Sequence, residues 1–273
     1  MFSEARLCTL AAAVASRIDQ DASAFAVLTA TALHGLPVYA SRGDRVDLVV
    51  RGQHTRHSAP DVRRHQWPLP ADDVVDINGL RVTSLARTLY DVIRLCSLEA
   101  ALIAMDAALH RVAWNDDDNT YDEDLAQALT AAIEARVAAH PGARGIRQGR
   151  FVLEFADGRA QSPGETLARL RMWQLQLPAP ILQLRVGLPG GRYALLDLAL
   201  PGLERWLEFD GAVKYSDPRM LAGRTPDEVR SDEAQRQDAV ERVTGWDCDR
   251  MGWEDVASLD AFVAFRRTIN LYP

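Results

Sequence analysis

Three acidic side chains in the second half of the chain interrupt segments that are otherwise apolar. Asp197 lies within the stretch 193–200, and Glu208 and Asp210 lie within 205–210. Because residues two apart on a strand share a face, Glu208 and Asp210 are expected to point the same way, and an antiparallel neighbour can bring Asp197 beside them. Such carboxylates repel one another unless a cation or shared protons intervene. Oxygen-rich clusters of this kind suit Mg²⁺ or Mn²⁺.

The chemistry that this cluster predicts is metal-dependent hydrolysis of a phosphodiester, because a bound metal lowers the pKa of water and stabilises charge at phosphorus. Lys214 stands four residues after Asp210 and is the single lysine among 31 basic residues. A compact ammonium is not equivalent to a guanidinium beside a reacting phosphate, so Lys214 is a candidate to orient the water. The alternative is that each acid is solvated at a strand edge, and Asp210-Gly211 is also a turn-forming pair.

The elements that would position these residues have helix, strand and turn signals in a regular order. Ser162 and Pro163 are typical of an N-cap and a first helical turn. The stretches that follow alternate between apolar runs and Pro-Gly turns, which is typical of a strand meander. The predicted elements are a helix over 162–176, strands over 182–188, 193–200 and 205–210, a helix over 225–243 and a strand over 246–251.

This pattern resembles the PD-(D/E)XK nuclease superfamily, in particular the branch related to the very-short-patch-repair endonuclease, whose members often show a Glu-x-Asp-Gly-x-x-His segment. The resemblance is carried by the following residues: Leu195 to Ala199, Leu207 to Gly211, Glu165 on the preceding helix, Glu233, Arg236, Asp238, Gly245, Trp246 and Arg250. It implies a restriction-endonuclease-like αβββαβ core. It also implies a metal held by Glu165, Asp197 and Glu208, catalysis by Asp197, Glu208, Asp210 and Lys214, and DNA phosphates bound by Arg236 and Arg250.

Two departures from that family leave the activity of the site open. The superfamily's usual lysine, two places after the glutamate, is Asp210 here, and the histidine of the nearer branch is Lys214. Either Lys214 supplies the positive group near the scissile phosphate, or the site is inactive.

The first half has a different pattern, and helices dominate it. The acidic run 115–124 departs from a calcium loop because Tyr121 replaces the glycine, so Thr120 and Glu123 are interpreted as a capping box for the last helix. A break at 140–145 predicts two domains, a mainly helical one over 1–145 with a small β hairpin and a second over 150–273. The predicted elements are helices over 4–18, 24–34, 84–95, 98–111 and 120–139, a strand over 45–50, a loop or hairpin over 52–70 and an Asn-Gly hairpin turn at 77–80. The fold class is therefore α/β (α+β).

The segments Ala32 to Pro37 and Val82 to Asp91 resemble the core of AbiEi-type antitoxin proteins, which occur fused to this nuclease-like module. Those proteins often begin with a winged helix-turn-helix that binds DNA. Only Met1 to Asp19 precede the matching core, so that element is expected to be absent or reduced. His34 and Arg87 are either functional or a buried histidine and a helix-surface arginine.

Charge and composition limit the classes of partner that the protein can have. The net charge of −7 argues against nucleic acid only weakly, because phosphate binding depends on a local patch. The stretch 41–65 has six arginines against three aspartates, so Arg63 and Arg64 are candidate nucleic-acid contacts, with a solvated face as the alternative. Three separated cysteines and the absence of a secretion signal or a long apolar run predict a cytoplasmic protein without a membrane partner.

Three functions remain from the sequence. The leading hypothesis is a Mg²⁺- or Mn²⁺-dependent DNA phosphodiesterase, in a defence or toxin-antitoxin context. The rival is a catalytically inactive nuclease-fold regulator that binds DNA, a toxin or another protein. The third is a plain protein-interaction module. The oligomeric state is left open.

Overall fold

The chain folds as a mixed α/β protein with two compact units. The computed structural model describes residues 3–19, 21–50, 59–211 and 225–272, with only the backbone described at 226, 227, 229 and 230. Contacts divide the chain into Met1–Gln161 and Ser162–Pro273. Within the described ranges, no helix is long and apolar enough to cross a bilayer.

The first unit combines helices with a five-stranded sheet whose strand order is β3-β2-β1-β5-β4. Its helices are α1 Glu4–Ala15, α2 Val27–Leu33, α3 Leu85–Leu95, α4 Leu98–Ala113, α5 Glu123–Ala139 and α6 Ile146–Phe155. The strands of the sheet are β1 Ser23–Phe25, β2 Val46–Val50, β3 Val62–His65, β4 Val74–Ile77 and β5 Leu80–Thr83, and β6 Trp114–Asn115 and β7 Thr120–Tyr121 form a separate pair.

The Asn-Gly hairpin predicted at 77–80 is confirmed and supplies two strands of this sheet. Asn78 and Gly79 have φ values of 54° and 78°, as the tight turn requires. The helix predicted over 24–34 is partly wrong, because Ser23–Phe25 forms a strand between β2 and β5. A short, fully buried apolar run has no periodicity that separates a strand from a helix.

Two other local predictions also need correction. Part of the segment predicted as a loop or hairpin is β3, which pairs in parallel with β2. The predicted capping box of Thr120 and Glu123 is wrong, because Thr120 lies in β7 and Asp122 caps α5 by accepting from the Leu125 amide at 3.0 Å. The end of this helix at Ala139 agrees with the sequence.

The core of the first unit lies where α1 packs against the sheet. Ala11 and Val14 of α1 meet Phe25, Leu48 and Val82 from three adjacent strands. Each of these side chains is at most 1% exposed. Burial of an aliphatic or aromatic side chain contributes roughly 1.5–3 kcal/mol, so this cluster fixes the sheet on which the rest of the unit rests.

The second unit has the order helix, three strands, helix, strand that the sequence predicted. Its sheet order is β11-β10-β9-β8, in which β8, β9 and β10 form an antiparallel meander and β11 returns parallel to β10. The elements are α7 Pro163–Gln174, β8 Ile181–Gly187, β9 Tyr193–Leu200, β10 Arg205–Phe209, α8 Pro226–Thr244, β11 Asp247–Met251, α9 Trp253–Val256 and α10 Leu259–Thr268.

The long helix of this unit begins and ends at strong local signals. Thr225 and Glu228 form a capping box at the start of α8, and Gly245 ends the helix with φ 72°. Val240 of α8 packs against Leu196 and Trp206, both of which are fully buried. This contact fixes α8 against one face of the sheet, next to the predicted acidic residues.

The unit boundary falls between Gln161 and Ser162, after α6. The sequence predicts the break at 140–145, and Gly145 is the N-cap of α6 with φ 80°. A Cβ at Gly145 would collide with the carbonyl of Arg94, so glycine is required for the close approach of α6 to α3. Because α6 also contacts α4 and α5, it belongs to the first unit.

Candidate functional site

Glu165 is placed at the start of α7 by its neighbours. The Ser162 hydroxyl caps the helix by accepting from the Glu165 amide at 3.2 Å. A Cβ at Gly164 would collide with the ring of Phe209, so glycine lets α7 approach β10 closely. As a result, Glu165 is buried inside the unit and only 4% exposed.

The Glu165 carboxylate accepts hydrogen bonds from Ser162 and Gln183. Its Oε1 accepts from the Ser162 hydroxyl at 2.7 Å, and its Oε2 accepts from the Gln183 amide at 3.2 Å. Gln183 has φ 49°, a left-handed conformation that costs a non-glycine residue on the order of 1 kcal/mol. Its neighbours in β8 pair with Leu196 and Leu198, so Gln183 lies opposite Asp197. Sequence reasoning missed Gln183, because a lone glutamine between leucines carries no signal.

Asp197 lies where β9 and β10 stop pairing through their backbones. The antiparallel register ends at the pair Leu198 and Leu207, and one further step would place Asp197 opposite Glu208. The Asp197 Oδ2 instead accepts from the Phe209 amide at 3.1 Å. The side chain therefore replaces a backbone acceptor and is fixed beside the strand that carries Glu208.

Glu208 is held by an arginine from α8. Arg236 Nη2 donates to both carboxylate oxygens, at 2.6 and 2.7 Å, and the Trp206 indole donates to Oε1 at 3.1 Å. Arg236 Nη1 also donates to the Leu195 carbonyl at 3.0 Å, which ties α8 to β9. Glu208 is only 4% exposed, so this ion pair offsets most of the cost of burying its charge.

Asp210 is held by Arg250 of β11. Arg250 Nη1 donates to both Asp210 oxygens, at 2.9 and 3.1 Å, and its Nη2 lies 3.6 Å from Glu208 Oε2. Gln237 of α8 accepts from Nε and Nη2 of the same guanidinium. Burial alone would lower the pKa of Arg250, but Asp210 and Glu208 outweigh it and hold that pKa above its ordinary value.

The four predicted acids therefore lie on adjacent elements of one unit, and two of them are paired with arginines. In the part of the chain that the structure describes, no three His, Cys, Asp or Glu side chains are arranged to hold a metal ion, including the predicted set of Glu165, Asp197 and Glu208. Mg²⁺ often uses only one or two carboxylates and completes its shell with water. Lys214 lies outside the described residues.

The four arginines predicted to bind nucleic acid have different surroundings. Arg236 and Arg250 keep about a third of each side chain exposed, at 35% and 32%, and both donate to acids. In the first unit, Arg63 has a side chain that is 56% exposed and lies 3.3 Å from Asp47. Arg64 follows it on β3 and is half-buried. Of these, Arg63 is the most accessible to a phosphate.

Comparison with known proteins gives relatives but no function. Two uncharacterized proteins of Mycobacterium tuberculosis, from two strains, are each 33% identical to this chain over 150 residues. The match covers 55% of this chain and 50% of each relative, so the chain spans about half the length of the curated relatives it matches. No family model matches the chain. No solved structure matches it either.

Proposed function

We propose that this protein is a metal-dependent DNA phosphodiesterase whose site lies in the second unit. The observation that carries the proposal is the placement of Asp197 at the point where β9 and β10 separate, one register step from Glu208. Buried Glu165 supports it through Gln183, which lies opposite Asp197. The order of elements agrees with the PD-(D/E)XK-like core that the motif implies.

In this proposal, Asp197 and Glu208 hold a Mg²⁺ or Mn²⁺ ion, which when bound supplies an activated water and stabilises charge at phosphorus. Glu165 acts as a positioning residue, because its hydrogen bond fixes the Gln183 amide beside Asp197. Arg236 orients Glu208 through two short hydrogen bonds. Asp210 orients Arg250 in the same way, and Lys214 is proposed to orient the water.

A second function is favoured by a specific observation. Glu208 and Asp210 are already neutralised by Arg236 and Arg250. Internal neutralisation of this kind suits an inactive nuclease fold that binds DNA or a toxin partner, as in AbiEi-type regulation. Both proposals place the protein in the cytoplasm, and they differ in whether a divalent metal enters the site.

Titration calorimetry with MnCl₂ and MgCl₂ on the full chain separates the two functions. We expect saturable binding to the wild type, lost in Asp197→Asn and retained in Asp260→Asn, a matched change at an exposed position of α10. Wild-type protein should then nick plasmid DNA only when metal is present. Absence of metal binding at millimolar concentration, in a protein with an unchanged thermal melting curve, would reject the enzyme and favour the regulator.

A further inference from the structure

A pocket of about 310 Å³ lies within the first unit, between α3, the end of α5 and the segment 67–70. Its volume is at the lower end of what small-ligand sites enclose. Arg87, Tyr90 and Arg94 line it from one side of α3, at the three- and four-residue spacing that places side chains on a common helix face. Arg136 and His140 line it from α5, one helical turn apart.

The cationic wall of this pocket is rigidly held. Arg87 is 6% exposed, and its Nε and Nη1 donate to Asp91 and Asp73, both at 2.8 Å. Arg136 donates to the same Asp73 carboxylate, and Arg94 Nη2 donates to Asp91 at 3.0 Å. Three guanidinium groups are thus fixed by two carboxylates, and Arg87 and Arg94 also donate to the backbone carbonyls of Pro68, Tyr90 and Arg144. Asp73 lines the pocket together with the three arginines, and the five charged groups sum to a formal charge of +1. Guanidinium groups with fixed orientation are well suited to phosphate oxygens.

Aromatic rings complete the wall, of which Trp67 is half-buried and Tyr90 is buried. Trp67 lines the pocket and stacks on His65 with ring centroids 4.1 Å apart. The Arg94 guanidinium lies 4.1 Å from the centroid of the Tyr90 ring, and the Tyr90 and His140 rings are 6.0 Å apart. Aromatic faces of this kind stack with nucleobases irrespective of the base. An inorganic anion would use the arginines of this pocket but not its rings.

We propose that this pocket binds a 5′-nucleotide, with its phosphate against Arg136, whose side chain is the most exposed of the three arginines, and its base against the ring of Trp67. The ligand is either a free nucleoside monophosphate or the 5′-phosphorylated end of a nucleic-acid strand, which present the same chemistry. The site lies in the first unit and needs no metal, so it stands or falls independently of the proposed phosphodiesterase.

Calorimetry in the presence of EDTA tests this assignment on the full chain. The probes are adenosine 5′-monophosphate, adenosine, inorganic phosphate and a 5′-phosphorylated tetranucleotide. We expect the monophosphate to bind at least about tenfold more tightly than adenosine or phosphate, because it engages both Arg136 and the ring of Trp67. Equal affinity for phosphate and monophosphate would overturn the nucleotide assignment. Binding of the tetranucleotide alone would support it and identify a strand end as the source.

Variants locate the binding to this pocket. Arg136→Gln should weaken monophosphate binding about tenfold, the loss expected for one charge-assisted hydrogen bond. Arg147→Gln removes the same charge from an exposed position of α6 and should leave the affinity unchanged. Because Arg136 also pairs with Asp73, Trp67→Leu serves as a second variant and should weaken the monophosphate but not inorganic phosphate. Unchanged monophosphate affinity in both variants, with normal melting curves, would overturn the proposal.

Discussion

Among the described residues, each unit has a cluster in which arginines and carboxylates alternate, and the two clusters can be compared directly. The pocket cluster of the first unit has three arginines around two acids: Arg87, Arg94, Arg136, Asp73 and Asp91. The sheet cluster of the second unit pairs Arg236 with Glu208 and Arg250 with Asp210, and Glu165 and Asp197 lie on neighbouring elements. Arginines and carboxylates pair in the same way in both clusters. The clusters differ in the ligand that we propose for them, an anion for the first and a metal ion for the second.

The clusters also differ in solvent exposure, which determines what each ion pair contributes. The Arg87 and Asp91 side chains are 8% and 1% exposed, whereas those of Arg236 and Arg250 are 35% and 32% exposed. Water screens the second set more strongly, so losing one of its partners costs less. We therefore expect the largest effects on folding from changes in the pocket cluster.

The largest expected effect is that of Arg87→Met. Removing this guanidinium leaves Asp73 and Asp91 buried with fewer partners, and breaking a buried pair costs about 3–5 kcal/mol. Urea denaturation should show this loss, and hydrogen exchange should locate it in α3. Arg147→Met, on the exposed face of α6, is the matched control and should change stability by less than about 0.5 kcal/mol. A cost below 1 kcal/mol for Arg87→Met would mean that the pocket cluster is not the tighter of the two.

The next expected effect is a pH dependence at Asp73. Burial alone would raise the pKa of this carboxyl, but hydrogen bonds from Arg136 and Arg87 outweigh it, so the pKa is lower than its ordinary value of 3.8. A depressed pKa contributes stability above pH 3.8, and that contribution is lost as the pH falls through the folded-state value. Asp73→Asn should therefore cost about 1.5–3 kcal/mol at pH 7.

Urea denaturation of the wild type and Asp73→Asn between pH 7 and roughly pH 2.5 measures this dependence. The two curves should approach each other as the pH falls, because the wild-type carboxyl becomes increasingly protonated. Asp260→Asn, at an exposed site of α10, should show no such convergence. A difference between wild type and Asp73→Asn that is constant over the whole range would show that packing, and not charge, makes Asp73 important.

The sheet cluster was predictable from the sequence to a greater extent than the pocket cluster, for a physical reason. Strand periodicity and the Pro-Gly turns place Asp197 near Glu208, and β9 has the predicted bounds. The arginine that neutralises Glu208 comes from α8, and the sequence does not encode which face of the sheet a helix covers. The sequence also does not show that the Asp197 side chain, and not a backbone carbonyl of β9, accepts from the Phe209 amide.

The pocket cluster combines residues whose partners are far apart in the sequence. Asp73, Arg87 and Arg136 come from a short 3₁₀ turn and two helices, and no local pattern connects them. From the sequence, Arg87 is either functional or on a helix surface, whereas in the structure it is buried. The strand β1 could not be recognised within its apolar run either, because its partners β2 and β5 are distant in the sequence.

The smallest expected effect on stability, and the sharpest test of the comparison, is that of Arg236→Gln. About a third of the Arg236 side chain is exposed, but Glu208 is buried and would keep only the hydrogen bond from Trp206 among those described, so the loss should cost about 1–2 kcal/mol. It should at the same time tighten binding of Mn²⁺ about fivefold, because a cation that competes for Glu208 is gone. Arg242→Gln, on an exposed part of α8, should do neither. Calorimetry and denaturation on the same preparations measure both quantities. If Arg236→Gln instead weakens DNA binding and leaves Mn²⁺ affinity unchanged, the arginine binds phosphates, and Glu208 is not a ligand of the proposed metal.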